Sequence, residues 1–237
     1  MITFSRFTSA FLVALSGFSL TVSVTAADAP PAKTALGLNA SPALKPAQTG
    51  AAKVNPDGFI SRWFLLDPIP GDGRVTESGV RASAQKEYFP DQLAVVPHDG
   101  DKVQVGNTEC TWRAIEAKQH NVNLYHFAFY QGKPTSNQVF WGVTIVESPE
   151  EMPNVRLAVG SNSGSVWWVN GEEKVALYGD IQTFIDDTAS KKFTLKKGQN
   201  IVRFIVVNNG GMVDCCARFL DADGKPITKL NTVLPAK

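Results

Sequence analysis

Side chains that could catalyse hydrolysis are scattered along this sequence. A serine nucleophile of the Gly-x-Ser-x-Gly type needs serine at the third position, whereas Gly160–Gly164 places Asn162 there. The three histidines, His98, His120 and His126, include no pair at the spacing of a helical zinc motif. We therefore expect no catalytic constellation and predict that Gly160–Gly164 is a loop between strands.

Acidic residues occur in three adjacent pairs and in one sequence that is similar to a calcium loop. Glycoside hydrolysis needs two carboxyl groups that converge across a cleft, and each pair lies in a polar loop or turn where solvated charge is the simpler explanation. Asp221-x-Asp223-Gly224 matches the start of a calcium loop, but no bidentate Glu follows at the required distance, so we expect a hairpin turn. No cofactor is predicted, and a structural calcium ion held by backbone carbonyls stays open. The pairs are Glu150–Glu151, Glu172–Glu173 and Asp186–Asp187.

Aromatic platforms are the remaining candidate chemistry. A sugar ring can stack its C–H face on an exposed aromatic ring while nearby polar side chains bind its hydroxyl groups. Alternation along a strand sends Trp167 and Trp168 to opposite faces. Since Val169 should join the core with Trp167, we expect Trp168 to face outward, either as a stacking platform or beneath a neighbouring loop. The tryptophans that lie within apolar runs and are expected in the core are Trp63, Trp112 and Trp141.

Short apolar runs separated by Gly, Asn, Asp and Pro predict the elements that must position these residues. From Gly58 onward the runs are rich in β-branched and aromatic residues, and no segment has a convincing helical period. Asn170-Gly171 is typical of a two-residue hairpin, and the irregular stretch 67–102 should form long loops over one end. Many short strands at this spacing predict an all-β fold, an antiparallel β-sandwich. The predicted strands are Phe59–Leu66, Cys110–Ala117, Leu124–Tyr130, Val139–Glu147, Val155–Gly160, Ser165–Val169, Lys174–Leu177, Lys192–Leu195, Ile201–Val207 and Val213–Asp221.

The N-terminal residues 1–27 have the order of a cleavable secretory signal peptide. Arg6 is the only charged residue before Asp28, and it precedes an apolar run that small polar residues interrupt. Cleavage would leave a secreted or periplasmic protein without a membrane anchor, and a retained anchor is the alternative. Residues 28–55 are rich in Ala and Pro and lack aromatic residues, which predicts a disordered tether before a β-sandwich domain at 56–237.

The charge balance of the chain is close to neutral. Lys and Arg number 23, and Asp and Glu number 22. An even balance gives no electrostatic case for nucleic acid or anionic lipid as a partner. The expected partners are therefore a carbohydrate or another exported protein.

The three cysteines are too few for a fold that is built on disulfides. Cys215 and Cys216 should point to opposite faces of a strand, so at most one of them can meet Cys110 within the core. Strand alternation favours Cys110–Cys215 as the pair if a disulfide forms. Buried free thiols are the alternative.

The second half of the chain contains, in order, an aromatic-aliphatic strand ending in Val-Asn-Gly, a Leu-Lys-Lys-Gly-x-Asn turn, and a long aliphatic strand running into Asn and Gly. These features lie in the segments SVWWVNGEEKV and KKFTLKKGQNIVRFIVVNNGG, and CARFLDADGKPITKL follows them. They resemble the closing strands of galactose-binding-like jelly-roll domains, accessory domains of exported bacterial proteins that are similar to carbohydrate-binding modules. The opening SRWFLLDPIP is similar to their first strand, with Asp67-Pro68 where Gly-Pro is common. The resemblance covers about Gly58 to Leu230, and Met212–Cys216 stands where an aromatic residue is frequent.

The resemblance implies a jelly-roll sandwich that binds carbohydrate or packs against a catalytic neighbour. It adds Tyr178, Asn208 and Asn209 as a polar edge that could accompany Trp168 in ligand binding. We therefore predict an exported, non-catalytic module that recognises carbohydrate or a glycan-bearing surface. The alternative is a structural module that docks onto a partner protein or enzyme.

Overall fold

The computed structural model describes residues 35–179 and 183–237, so the predicted signal peptide lies outside the described residues. In this part of the chain, strands form one sheet of eleven strands and one of five, and all the pairings are antiparallel. Two α-helices, α1 (Glu77–Gln85) and α2 (Leu124–Tyr130), and a 3-10 turn at Leu38–Ala40 interrupt the strands. No helix in the described ranges is long and apolar enough to cross a membrane. The predicted all-β sandwich is confirmed.

The strands are numbered in chain order. The large sheet contains β1 (Leu44–Pro46), β2 (Gly50–Lys53), β3 (Arg62–Leu66), β4 (Ile69–Pro70), β5 (Lys102–Val105), β6 (Thr108–Ala117), β8 (Gln138–Ser148), β10 (Gly164–Val169), β11 (Glu172–Leu177), β14 (Gly198–Asn208) and β16 (Asn231–Leu234). The small sheet contains β7 (Val122–Asn123), β9 (Met152–Ser161), β12 (Thr188–Ala189), β13 (Phe193–Leu195) and β15 (Asp214–Leu220). The central order is β1-β6-β3-β8-β14-β10-β11 in the large sheet and β12-β9-β15-β7 in the small sheet. Every predicted strand except Leu124–Tyr130 overlaps an observed strand.

One hydrophobic cluster lies between the two sheets. Phe204 of the large sheet packs against Trp63 and Trp167, with ring centroids 5.0 Å and 4.8 Å away. Leu157 and Phe219 of the small sheet belong to the same cluster. Because both sheets contribute to it, this inner cluster is the core of the sandwich.

A second hydrophobic cluster covers the opposite face of the large sheet. Trp168 stacks on Trp141 in this outer cluster, with ring centroids 5.9 Å apart, and Val80 of α1 and Phe89 pack on the same face. The chain from 67 to 102 therefore lies over the sheet face and not only over one end. Trp168 lies on the face opposite Trp167, as alternation predicted, and of the two alternatives the covered one holds, since the residue is only 6% exposed.

Helix α1 was not expected from the sequence. Its N-cap is Thr76, whose hydroxyl accepts a hydrogen bond from the Gly79 amide at 3.4 Å. It approaches β10 closely because Gly164 has no side chain there: a Cβ at that position would lie 2.2 Å from Val80 Cγ2. The buried face of α1 is mostly small or polar, so its helical period is weak in the sequence. Its members are Gly79, Val80, Ser83 and Ala84.

The segment 28–55, predicted as a disordered tether, is ordered where the structure describes it. Strand β1 pairs with β6, and β2 pairs with β16. The buried Arg62 donates hydrogen bonds to the carbonyl oxygens of Gln48 and Gly50, which fixes the turn between β1 and β2. The sandwich therefore includes strands from Leu44 onward, and the predicted boundary at residue 56 is wrong. Such short edge strands are held by partners distant in sequence, which composition does not reveal.

Helix α2 replaces the strand predicted at Leu124–Tyr130. The side-chain oxygen of Asn123 caps the helix by accepting a hydrogen bond from the His126 amide at 2.7 Å. Over seven residues rich in aromatic side chains, strand alternation and helical spacing fit almost equally well, so the sequence pattern was ambiguous. The buried residues follow the helical spacing: Leu124, Phe127 and Ala128.

Two predicted reversals are confirmed. Asn170 and Gly171 have φ angles of 53° and 83°, and they join β10 to β11 as the Asn-Gly sequence predicted. Asp221 closes its own turn, because its Oδ1 accepts hydrogen bonds from the amides of Asp223 and Lys225 at 2.9 and 2.8 Å. One oxygen that a calcium ion would need is therefore already engaged with the backbone.

Candidate functional site

Two loops that cross between the sheets meet at one end of the sandwich. The β9–β10 loop carries Asn162, and the β14–β15 loop carries Met212. The Asn162 side chain donates a hydrogen bond to the Met212 carbonyl at 2.8 Å, and its oxygen accepts one from the Asp214 amide at 3.0 Å. Asn162 therefore links the β9–β10 loop to the β14–β15 loop.

The Asp214 carboxylate is the centre of this end. It accepts hydrogen bonds from the Asn121 side-chain amide and from the Thr183 hydroxyl. All four of these polar side chains are half-buried, so they are held in place yet open to solvent. We call Asn121, Asn162, Thr183 and Asp214 the polar rim.

The start of α2 adjoins the polar rim. The Tyr125 amide donates a hydrogen bond to the Val213 carbonyl at 3.0 Å, which places the start of α2 beside Asp214. The Tyr125 and Phe129 rings stack with centroids 5.8 Å apart and an interplanar angle of 12°. Both rings are half-buried. Aromatic surface next to carboxylate and amide groups is the combination that binds a sugar ring and its hydroxyls.

Exposed apolar side chains flank the polar rim. Met212 is 53% exposed, and Phe184 is 55% exposed. Phe184 belongs to the segment 183–189, which pairs with β9 at its end and is fixed by an ion pair between Asp186 and Arg218, with 2.9 Å between Oδ1 and Nε. These side chains extend the contact surface around the polar groups.

Two residues predicted to bind ligand, Trp168 and Tyr178, lie on the outer face of the large sheet. The Trp168 ring is stacked on Trp141 and covered. The Arg81 guanidinium lies 5.4 Å from the centroid of the Tyr178 ring and pairs with Glu173 at 2.6 Å. Trp168 therefore lacks the exposure that a platform needs, and a binding role for Tyr178 stays a prediction.

The other two predicted ligand residues, Asn208 and Asn209, lie in the β14–β15 crossing. Asn208 is buried, and its side chain donates to the Thr135 carbonyl at 2.9 Å and accepts from the Gly210 amide at 3.1 Å. The buried Asn208 side chain therefore stabilises the conformation of the β14–β15 loop. Asn209 is exposed in the same loop as Met212, so it remains available to a ligand at this end.

Sequence reasoning missed the residues that the fold brings together here. It predicted a loop at Gly160–Gly164, of which only Asn162 and Ser163 lie outside β9 and β10, and nothing local to Asn162 signals a partner fifty residues away. Tyr125 was assigned to a strand, and Asp214 was considered only as part of one. The one available signal was the aromatic-rich run at 124–130, which is unusual for a short surface element.

The Cys110–Cys215 disulfide, favoured by strand alternation if a disulfide forms, is not present, and the alternative of buried free thiols describes all three cysteines. Cys110 belongs to the outer cluster and Cys215 to the inner cluster, so the large sheet separates them. Burial raises the pKa of each thiol, and it raises that of Cys216 to about 12. Neutral, buried thiols are poor nucleophiles.

Two histidines lie close to a polar side chain that could activate them, and both contacts have structural explanations. Ser41 Oγ lies 3.4 Å from His126 Nδ1, but the same hydroxyl accepts hydrogen bonds from the amides of Ala43 and Leu44. Burial lowers the pKa of His126. His98 Nδ1 lies 3.2 Å from Asp101 Oδ2, within a turn that the His98 amide also closes. Across residues 35–179 and 183–237, no group of three metal-binding side chains is assembled.

No protein-family model matches this sequence, and no curated protein matches it. Among solved structures, the chain is distantly similar to a PA14 sugar-binding domain from an RTX adhesin, at 12% identity over 71% of this chain and 94% of that chain, with a TM-score of 0.41. The PA14 domain of the antifreeze protein MpAFP gives 13% identity, coverage of 79% and 96%, and a TM-score of 0.44. A β-glucosidase from Kluyveromyces marxianus gives 18% identity, coverage of 52% and 16%, and a TM-score of 0.36. Similarities this distant do not assign a site or a ligand to this chain.

Proposed function

We propose that this chain is an exported, non-catalytic module that binds carbohydrate at the polar rim and the aromatic side chains of α2. The observation that carries the proposal is the Tyr125–Phe129 ring stack beside the Asp214 carboxylate. Export is supported by the signal-peptide order of residues 1–27.

Each group of the site has a chemical role in this proposal. The Asp214 carboxylate accepts hydrogen bonds from sugar hydroxyls, while the Asn121 amide can both donate and accept. The Tyr125 ring offers apolar surface to the C–H groups of the sugar. Asn162 holds the two crossing loops at a fixed separation, and Asn209 supplies a further amide at the margin. Binding alone requires no bond to be broken.

Variants of the polar rim test the proposal on a panel of soluble polysaccharides and oligosaccharides. Asp214→Asn and Tyr125→Ala should each weaken binding about tenfold, which corresponds to about 1.4 kcal/mol. Asp214→Asn removes the charge of a charge-assisted hydrogen bond, and Tyr125→Ala removes the stacking surface. The matched controls are Asp223→Asn and Tyr178→Ala, which change the same residue types away from the polar rim. Isothermal titration with the full chain measures affinity, and thermal melting confirms that each variant is folded.

Two results would overturn the proposal. One is that no member of the panel binds. The other is that a glycan binds with an affinity that neither Asp214→Asn nor Tyr125→Ala changes. A loss of binding in Tyr178→Ala alone would move the site to the residues that the sequence predicted.

One observation favours docking onto an exported protein as the second candidate. Phe184, Ile185 and Met212 are exposed apolar side chains at the same end of the molecule. If they contact a protein partner, Phe184→Ser with Met212→Ser should abolish the capture of a defined secreted partner. The same double variant should change glycan affinity far less than Asp214→Asn does.

A further inference from the structure

A groove of about 700 Å³ lies between the N-terminal strands β1 and β2 and the chain that follows β6. This volume is within the range of small-molecule sites, about 300–1,000 Å³. Lys45 and Lys53 line it from the N-terminal strands, and Lys118 and His120 line it from the chain after β6. We call this the basic groove. Its polar lining also includes Asn55, Asp57, Ser61, Glu116 and Gln119.

The basic groove has more positive than negative charge. Its lining holds three lysines but only two carboxylates, those of Asp57 and Glu116. Glu116 Oε1 lies 3.1 Å from Lys45 Nζ. Glu116 also interacts with the buried Arg62 guanidinium: burial lowers the pKa of Arg62 below its usual value, and the charge of Glu116 partly opposes this by raising it. One carboxylate is therefore shared between two cations.

Two ammonium groups of the basic groove contact backbone carbonyls. Lys118 Nζ lies 2.7 Å from the Ser41 carbonyl, and Lys53 Nζ lies 3.5 Å from the Lys229 carbonyl. A carbonyl oxygen accepts a hydrogen bond but does not neutralise a charge. Both side chains are exposed, so their charge acts on the solvent in the groove.

The basic groove and the polar rim adjoin each other along the chain. His120 lines the groove and packs against Phe59 with ring centroids 5.5 Å apart, whereas the next residue, Asn121, donates to Asp214 in the polar rim. A polymer bound at the polar rim could therefore continue into the basic groove.

The opposite charge is concentrated in another groove. A groove of about 540 Å³ is lined by Glu150, Glu151, Asp221 and Asp223, with Lys229 as its single cation. The charges that line this acidic groove sum to −3, whereas those that line the basic groove sum to +1. An anionic polymer would be attracted to the basic groove and repelled from the acidic one.

We infer that the ligand is an acidic polysaccharide that extends from the polar rim into the basic groove, where Lys53 and Lys118 bind its carboxylate or sulfate groups. The inference rests on the proposed function, because it requires the polar rim to bind sugar. It adds the chemical class of the polymer and a second contact surface.

The test compares three polymers on the full chain: polygalacturonate, dextran sulfate and neutral dextran. Lys53→Gln with Lys118→Gln should weaken binding to a polyanion about fivefold, because each exposed ion pair contributes roughly 0.2–1 kcal/mol. The matched control is Lys191→Gln with Lys196→Gln, two exposed lysines outside the basic groove, which removes the same net charge. Binding is measured by isothermal titration at two salt concentrations.

We expect the protein to bind at least one polyanion more tightly than dextran, and this preference should weaken as salt increases. Lys53→Gln with Lys118→Gln should reduce the preference, whereas the control variant should retain it. Equal binding to all three polymers overturns the inference, as does an equal loss in the control. If the rim variant Asp214→Asn still lowers affinity in those cases, the proposed function survives. If none of the three polymers binds but a glycan of the panel does, the inference fails and the proposed function survives. If no polymer and no panel glycan binds, both proposals fail.

Discussion

The two faces of the large sheet bury aromatic residues in different ways. On the inner face, Trp167 packs against Phe204 and Trp63, and the small sheet closes over them. On the outer face, Trp168 stacks on Trp141 beneath α1 and the chain that follows it. Adjacent residues of one strand therefore enter two separate clusters. Alternation determines which face a side chain takes, but it does not determine what covers that face.

The cover of the outer face is also more polar. Arg203 is buried there, and its guanidinium donates a hydrogen bond to the Val95 carbonyl. Burial lowers the pKa of Arg203 to about 10, which means that the folded state disfavours the charged form. A layer that contains a buried cation should stabilise the fold less than the apolar inner cluster does, and the following substitutions test this difference.

Trp167→Ala should have the largest effect. The ring is fully buried between two sheets that cannot collapse onto the vacated space, so we expect a loss of about 4 kcal/mol in the free energy of unfolding. Chemical denaturation monitored by far-UV circular dichroism measures it. A loss below 1 kcal/mol would contradict the placement of Trp167 in the core.

Trp168→Ala should cost less, about 3 kcal/mol, because α1 and its neighbours can move partly into the space that the ring leaves. The same denaturation experiment applies. If Trp168→Ala were neutral in stability but abolished glycan binding, Trp168 would be an exposed platform and the buried position described above would be wrong. A larger loss than for Trp167→Ala would reverse the ranking of the two faces.

Gly164→Ala should loosen the outer cover while leaving the inner cluster intact. The added Cβ meets Val80 Cγ2 at 2.2 Å, so α1 must shift, at a cost of about 2 kcal/mol. Hydrogen exchange should become faster in α1 than in β14 and β15. Uniform acceleration across both sheets would show that the outer cover is not a separate unit. Ser78→Ala, on the exposed side of α1, is the control.

Glu173→Gln should have a smaller effect. It weakens the ion pair with Arg81, which links β11 to α1, but both side chains are more than one third exposed. We therefore expect a change of about 0.5 kcal/mol or less, further reduced by salt. A loss above 1.5 kcal/mol would mean that this contact holds α1 in place more strongly than Val80 does.

Turn chemistry and apolar runs were enough to predict the sandwich. Asn170-Gly171 specifies its hairpin locally, because Asn and Gly are the residue types that adopt positive φ angles most readily and both do so here. The polar rim could not be predicted in this way, because Asn162 and Asp214 meet only after β9 and β15 pair. Helix α1 was missed for a related reason, since small residues bury it against Gly164 without an apolar stripe.

Addition of a reductant should have no effect on stability. Cys110 lies in the outer cluster and Cys215 in the inner one, so the melting temperature should be the same with and without dithiothreitol. A disulfide that closed so long a loop would contribute about 2–4 kcal/mol, and its reduction would lower the melting temperature by several degrees. Thiol titration gives the complementary measurement: the raised pKa values keep the buried thiols neutral at pH 8, so they should react slowly in the native protein, and all three should react once it is unfolded. Only one reactive thiol after unfolding would mean that two cysteines are paired, and the two faces of the large sheet would then not be separated as described.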